Sequence, residues 1–247
     1  MTGKTLRNNC SNESVHREGD ETIEPIGRFR LIQGRRGYRY SVDSLCLSRF
    51  VLPVRRGDRI IDIGTGSGVI PLLLMESDDG QRITGVEVQD ELFSLAGRNI
   101  ALNNLTGRVE LIHTDYRDLR KLRRRGSFDL IVSNPPYVKE GCGRVSSIEE
   151  RAIARMEHLG SLSELVEISS YLLSKGGRAC YIYPVSRLQE LLSALQAKGL
   201  YATRLLFIHP KEATPATLFT IEATDSRGET VIEAPLFLDG THPGNLT

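Results

Sequence analysis

The stretch Arg59-Ile-Ile-Asp-Ile-Gly64-Thr-Gly66-Ser-Gly68 decides the fold of this chain. Its apolar and β-branched residues predict a strand that ends at Gly64, and the apolar residues 69–75 predict a helix directly after the glycines. Pro71 is compatible with that helix if it lies in the first turn, where backbone N–H groups have no intrahelical partner. A strand, a glycine turn and a helix in this order bring backbone N–H groups to a ligand.

The spacing of the glycines argues against a dinucleotide site. Gly64-x-Gly66-x-Gly68 lacks the wider second gap of G-x-G-x-x-G, and an acid, Asp62, precedes the turn. A second predicted strand ends in Glu87, about twenty residues after the glycines. A carboxylate at this position can accept hydrogen bonds from both hydroxyl groups of a ribose, as in nucleotide-binding α/β folds.

The rest of the chain alternates strands and helices in the way that builds a parallel sheet. Beyond the two strands above, the predicted strands are residues 109–112, 128–133, 178–183, 202–208 and 217–223, and the predicted helices are 90–103, 162–173 and 188–200. No helix separates the last two strands, so they should pair antiparallel. We expect one α/β domain over residues 26–239, with a seven-stranded, mostly parallel sheet that ends in an antiparallel C-terminal hairpin.

Ligands in open α/β sheets bind at the carboxyl ends of the strands. The glycine turn, Glu87, Asp115 and Asn134 all lie at such ends, in successive predicted strands. We therefore expect these groups to face one site.

Asn134-Pro135-Pro136-Tyr137, which follows the predicted strand 128–133, suits a planar NH2 group. Prolines have no N–H, so the strand cannot continue as a ladder. The turn leaves the side-chain oxygen of Asn134 and the carbonyl of Pro135 as acceptors, and Tyr137 offers a flat face for stacking. Because Asn-Pro and Pro-Pro are also common in loops, the tetrapeptide taken alone is equally consistent with a simple turn.

Together, the glycine turn and its acids resemble the class I S-adenosylmethionine (SAM) methyltransferases, which have a Rossmann-like fold. Asn-Pro-Pro-Tyr resembles the subset that methylates planar nitrogens. The resemblance implies that Gly64, Gly66 and Gly68 let the backbone approach the methionine portion of SAM. It also implies that Glu87 takes the ribose hydroxyls and that Asp115 accepts from the adenine amino group. Methyl transfer from a sulfonium needs no metal.

The segment before the first strand narrows the resemblance to one family, the bacterial tRNA (adenine-N6)-methyltransferases that modify the adenine beside the anticodon of a valine tRNA. The stretches similar to its pattern are residues 33–44, 134–137, 208–210, 215–216 and 221–223. The similarity covers roughly residues 26–239, and residues 241–244 depart from it. By its place in the pattern, Asp43 is expected near the amino group of the cofactor, although an acid in the first turn of the helix predicted at residues 42–52 is equally consistent with a favourable interaction with the helix dipole.

Two other functions stay open. Asn-Pro-Pro-Tyr enzymes include glutamine N5-methyltransferases that act on release factors, but these usually carry a helical N-terminal domain, whereas only a short polar stretch precedes Gly27 here. The second alternative is not an enzyme but an RNA-binding protein that has the same fold. The intact glycine turn, acids and Asn-Pro-Pro-Tyr argue against it.

Arginine is concentrated before the glycine turn, which suggests RNA as the partner. Residues 28–59 contain nine arginines and two acids, with aromatic residues interleaved, a composition that suits phosphate contact and base stacking. The residues expected to bind the substrate are Arg35, Arg36, Tyr38, Arg39 and Tyr40. A second basic cluster at residues 117–125 is equally consistent with a solvated face.

Composition adds bounds. Over the 247 residues, 32 Lys and Arg balance 31 acids, so the chain as a whole is not a polybasic binder. The four cysteines show no metal-binding spacing, and no apolar run is long enough for a membrane span. We expect a cytoplasmic protein without a metal, with polar and mobile residues 1–25 and a tail at 240–247. The oligomeric state is left open.

Overall fold

A computed structural model describes residues 4–5, 19–34, 42–77, 80–136 and 161–239. The strands are β1 (Lys4–Thr5), β2 (Glu21–Ile26), β3 (Phe29–Gly34), β4 (Arg59–Ile63), β5 (Arg82–Glu87), β6 (Val109–His113), β7 (Phe128–Ser133), β8 (Leu173–Pro184), β9 (Tyr201–His209), β10 (Leu218–Thr224), β11 (Val231–Ile232) and β12 (Leu236–Phe237). The helices are α1 (Val42–Val51), α2 (Val69–Leu74), α3 (Asp90–Leu102), α4 (Leu119–Leu122), α5 (Leu162–Leu172) and α6 (Leu188–Ala197).

The main sheet confirms the α/β fold and the C-terminal antiparallel pair. Its order is β1-β6-β5-β4-β7-β8-β10-β9-β11, with β12 also paired to β9. Strands β6, β5, β4, β7 and β8 are parallel, and β10 lies antiparallel between β8 and β9. The strand number was predicted wrongly, because the described sheet has ten strands rather than seven. The extra strands β1, β11 and β12 have two residues each and depend on their partner strand rather than on a pattern of their own.

Two apolar layers cover the two faces of the sheet. Successive residues of the parallel strands, such as Ile60 and Ile61 of β4, are fully buried on opposite faces. One layer contains residues of α1, α2 and α3, and the other contains residues of α4, α5 and α6. No helix in the described part of the chain is long and apolar enough to cross a membrane.

The N-terminal region begins to pair before the predicted start of the domain. Residues 21–25, expected within a mobile tail, belong to β2, which pairs antiparallel with β3 from Glu21–Gly34 to Ile26–Phe29. Ile26 of β2 is buried in the core, whereas Ile23, on the other face of the strand, is exposed, so the hairpin packs on one face. Of the remaining predicted tails, residues 6–18 and 240–247 lie outside the described residues.

Candidate functional site

The glycine turn between β4 and α2 adopts the conformation that its glycines permit. Gly64, Gly66 and Gly68 have φ of 78°, 57° and 84°, in the left-handed region that other residues rarely adopt. The N–H groups of Gly64 and Thr65 both donate to the carbonyl of Val86 on β5, at 2.9 Å. A Cβ at Gly64 would meet no atom within 4 Å, so this part of the turn is open on its outer side.

Glu87, at the carboxyl end of β5, ties the turn to the neighbouring strand. Its buried carboxylate accepts three backbone hydrogen bonds, from Gly66 to Oε2 and from Val88 and Gln89 to Oε1, all at 2.9 Å. Glu87 was predicted to contact the ribose. In the structure its carboxylate fixes the shape of the glycine turn.

Asp62 lies fully buried on β4, two residues before Gly64. Neither of its carboxylate oxygens has a well-aligned hydrogen bond with the described residues. Burial raises the pKa of Asp62 to about 7; the nearby Thr65 hydroxyl opposes this shift and the charge of Glu87 adds to it. A buried carboxyl group of this kind favours a positively charged neighbour.

The raised pKa of Asp62 predicts how the stability of the free protein depends on pH. Because the ordinary pKa is near 3.8, the folded state binds the proton more tightly than the unfolded state, and stability falls as pH rises from about 4 to about 7. Relative to Asp62→Asn, the unfolding free energy of the wild type should fall by about 2–3 kcal/mol between pH 5 and pH 8. Urea unfolding of both proteins measures the difference. Parallel pH curves would contradict a raised pKa.

Asp115 follows β6 and makes a close ion pair with Arg117. Its carboxylate accepts from the backbone N–H of Arg117 at 2.8 Å, and the guanidinium contacts both oxygens at 2.5–3.0 Å. Burial alone would raise the pKa of Asp115, but the hydrogen bonds and charge of Arg117 outweigh it and lower the pKa. Asp115 is therefore held as a charged acceptor at this edge of the sheet.

Asn134 follows β7 at the same edge, and two contacts fix its place. The preceding residue, Ser133, donates its hydroxyl to the carbonyl of Ile63 at 2.7 Å, which joins the ends of β7 and β4. The half-buried Asn134 side chain donates from Nδ2 to Ser44 Oγ at 3.0 Å. Pro135 is also half-buried, and Tyr137 lies outside the described residues.

Helix α1 brings a buried polar first turn to this edge. Asp43 and Ser44 are both almost fully buried there. The contact between Ser44 and Asn134 shows that the turn lies beside the end of β7. Asp43 was predicted near the cofactor, whereas Ser44 was not singled out, because a serine one position further along a helix carries no motif of its own.

Sequence reasoning also missed Asn99, a fully buried residue of α3. Its Oδ1 accepts from the N–H of Ile32 at 2.6 Å, and its Nδ2 donates to the carbonyls of Ile32 and Ser67 at 3.0 and 2.9 Å. One side chain thus joins the β2–β3 hairpin to the glycine turn. A polar residue within the apolar face of a predicted helix was the only available signal.

The arginines that the structure describes before the glycine turn do not form one continuous surface. Arg59 lies at the amino end of β4, opposite the site, and its Nε and Nη2 both donate to the carboxylate of Asp129. Arg28 donates to the carbonyl of Met75, just after α2. The predicted substrate-binding residues Arg35, Arg36, Tyr38, Arg39 and Tyr40 lie outside the described residues.

The second basic cluster is largely paired with acids. The pairs are Arg117 with Asp115, Arg120 with Glu167, Lys121 with Asp118 and Arg123 with Glu110, at 2.5–2.8 Å. Arg125 lies over the ring of Tyr171, 5.0 Å from its centre. This pairing favours the solvated-face reading of residues 117–125.

Relatives with curated names cover most of this chain. A tRNA1(Val) (adenine(37)-N6)-methyltransferase from Christiangramia forsetii is 26% identical over 207 residues, 83% of this chain and 85% of that protein. Another protein of that name, from Tolumonas auensis, is 29% identical over 206 residues, 82% of this chain and 83% of that protein.

Solved structures share the fold at lower identity. The crystal structure of a predicted O-methyltransferase from Agrobacterium tumefaciens has a TM-score of 0.64 and 20% identity, over 83% of this chain and 91% of that one. TYW2 from M. jannaschii in complex with AdoMet has a TM-score of 0.57 and 14% identity, over 83% of this chain and 85% of that one.

The sequence model of the methyltransferase small domain matches residues 44–170, just over half of the chain. The matched region contains the glycine turn, Glu87, Asp115 and Asn134-Pro135-Pro136-Tyr137. This chain therefore belongs to the methyltransferase small domain family.

Proposed function

We propose that this methyltransferase transfers a methyl group from SAM to the exocyclic N6 of adenine in RNA. The proposed target is the adenine at position 37, beside the anticodon of a tRNA, as in the names of the relatives above. The observation that best supports this proposal is the position of Asn134. Its carboxamide lies at the carboxyl edge of the sheet, beside the glycine turn.

The proposed chemistry depends on two acceptors at one turn. An exocyclic amine conjugated to a ring has a delocalised lone pair, so it is a poor nucleophile. Asn134 Oδ1 and the Pro135 carbonyl would accept hydrogen bonds from the two N–H groups of the amine. These hydrogen bonds would stabilise the transition state, in which the nitrogen becomes pyramidal as it attacks. Tyr137 would stack on the base and fix its plane. These residues orient the amine, and the chemistry needs no strong base.

The described residues suit SAM. Its sulfonium and ammonium groups are cationic, and the site offers the buried oxygens of Asp62, which have no well-aligned partner among the described residues. The open outer side of Gly64 leaves space for the ligand against the backbone. Glu87 and Asp115 would hold the ribose and the adenine amino group, respectively, and Asp43 would lie nearby. When bound, SAM supplies a methyl group attached to a good leaving group.

The proposed substrate is an RNA loop, in which the adenine is unpaired, rather than a duplex. A base inside a duplex is inaccessible to such chemistry, whereas an anticodon loop presents unpaired purines. In the proposed complex Arg35, Arg36 and Arg39 contact phosphates, and Tyr38 and Tyr40 stack on bases.

RNA binding should therefore weaken steeply with added salt. Each phosphate contact that is lost should reduce the slope of log K against log salt by about one, so Arg35→Ala and Arg36→Ala should each flatten it. Arg120→Ala is the matched control, because that guanidinium is paired with Glu167. Fluorescence anisotropy with labelled tRNA at several salt concentrations measures these slopes. A flat response of the wild type would contradict the proposed phosphate contacts.

Transfer of labelled methyl from SAM to total RNA, and separately to release factor, tests the activity. Nucleoside analysis of the RNA should give N6-methyladenosine. Methyl-glutamine in the release factor, with no labelled nucleoside, would replace adenine by glutamine as the target. A calorimetric titration that detects no SAM binding would instead support a non-catalytic RNA-binding protein.

A further inference from the structure

The NH2 group of the Asn134 side chain contacts the hydroxyl group of Ser44. Ser44 lies in the first turn of α1 and is 3% exposed, and its Oγ is 3.0 Å from Asn134 Nδ2. The substrate amine and this serine would therefore meet the two different ends of one carboxamide.

A carboxamide must be oriented before it can serve as an acceptor. Its oxygen and nitrogen ends have almost the same shape, so a half-turn about the last side-chain bond exchanges an acceptor for two donors at little steric cost. An amine substrate presents N–H groups, so a donor facing it would be repulsive. The NH2 end of Asn134 therefore needs an acceptor of its own on the side away from the substrate.

We propose that Ser44 is a positioning residue, whose hydroxyl oxygen holds the NH2 end of Asn134 so that Oδ1 faces the reacting nitrogen. This inference rests on the proposed transfer to a planar amine, and it holds for adenine and for glutamine alike. Ser44 does not touch the substrate in this scheme, because it acts only through Asn134.

The serine is presented by a helix that is fixed at its far end. Arg178 donates to the carbonyl of Pro53 at 2.8 Å and Arg204 to that of Phe50 at 3.2 Å, at the C-terminal end of α1. Both guanidinium groups also pair with Glu222, each at 3.1 Å. These contacts join the C-terminal end of α1 to β8, β9 and β10, so the helix that carries Ser44 is docked on the sheet before any substrate arrives.

The same helix offers a matched control. Ser48 lies one turn further along α1 and is 2% exposed, and its hydroxyl has no hydrogen-bond partner among the described residues. Ser44→Ala and Ser48→Ala therefore make the same chemical change in the same helix, and only the first removes a contact to Asn134.

Turnover and SAM binding of these variants test the inference. We expect Ser44→Ala to lower kcat about tenfold, the effect of losing one hydrogen bond, with the Kd of SAM changed less than about twofold. Ser44→Thr, which keeps the hydroxyl, should restore most of the activity, and Ser48→Ala should stay within about twofold of the wild type. In the Asn134→Ala background, Ser44→Ala should not lower kcat further, because Ser44 is proposed to act only through the Asn134 side chain.

A measurement without substrate separates this inference from the proposed function. The side-chain amide NMR signals of Asn134, identified by their absence in Asn134→Ala, should shift in Ser44→Ala and keep their positions in Ser48→Ala. If the wild type methylates neither RNA nor release factor, the proposed function is wrong. The NMR signals then still show whether Ser44 contacts the side chain of Asn134. Unchanged Asn134 signals in Ser44→Ala, or an equal loss of kcat in both backgrounds, would overturn the role of Ser44.

Discussion

Replacing Asn134 with alanine should lower methyl transfer by about 10²–10³-fold or more, while the affinity for SAM changes little. The substitution removes the acceptor proposed to hold the amine during attack. The groups proposed to bind SAM belong to α1, β4 and the glycine turn, β5 and the segment after β6, and none of them is substituted. Single-turnover kinetics and a calorimetric SAM titration separate the two effects.

Asn134→Asp is the matched comparison. It keeps an oxygen acceptor but has no NH2 to donate to Ser44, so its activity should lie between those of the wild type and Asn134→Ala. If Asn134→Ala turned over at close to the wild-type rate, the proposed mechanism would be wrong.

Glu87→Ala should weaken SAM binding about 100-fold or more. The carboxylate accepts backbone hydrogen bonds from Gly66, Val88 and Gln89, and hydrogen bonds to a charged group contribute about 1.5–3 kcal/mol each. Its loss would both release the glycine turn and remove the proposed ribose acceptor. Calorimetric titration with SAM measures the change in Kd.

Glu110→Ala provides the control for that experiment. Glu110 is an acid of the adjacent strand β6, and it pairs with Arg123 at 2.6 Å. SAM affinity should therefore stay close to the wild-type value in this variant. A Glu87→Ala protein that bound SAM within about threefold of the wild type would exclude Glu87 from the cofactor site.

The parallel part of the sheet could be predicted because its signals are local. Runs of apolar residues that lead into a glycine or an acid mark β4 and β5, and similar runs mark β6 and β7, which are followed closely by Asp115 and Asn134. The start of β8 was placed too late, at residue 178, because Gly176 and Gly177 read as a break, whereas the strand begins at Leu173. β2 was missed because its sequence, Glu-Thr-Ile-Glu-Pro-Ile, does not alternate regularly between polar and apolar residues, and the strand is defined by its pairing with β3.

The positions of Glu87 and Asp115 at the carboxyl ends of strands could likewise be predicted, but the side-chain and backbone groups that they contact could not. Ser44 and Asn134 are 90 residues apart, and Asn99 reaches Ile32 across 67 residues. Such contacts depend on how helices dock on the sheet. Arg59, one of the arginines counted before the glycine turn, likewise has a partner that the sequence does not show, because it pairs with Asp129 at the opposite end of β4.

Methylation of two unmodified valine tRNA transcripts tests the central proposal most directly. One transcript carries adenine at position 37 and the other carries guanine there, and both are incubated with the protein and labelled SAM. Our account predicts N6-methyladenosine in the first transcript and no labelled nucleoside in the second. Equal labelling of both transcripts, or labelling of neither while release factor acquires methyl-glutamine, would contradict it.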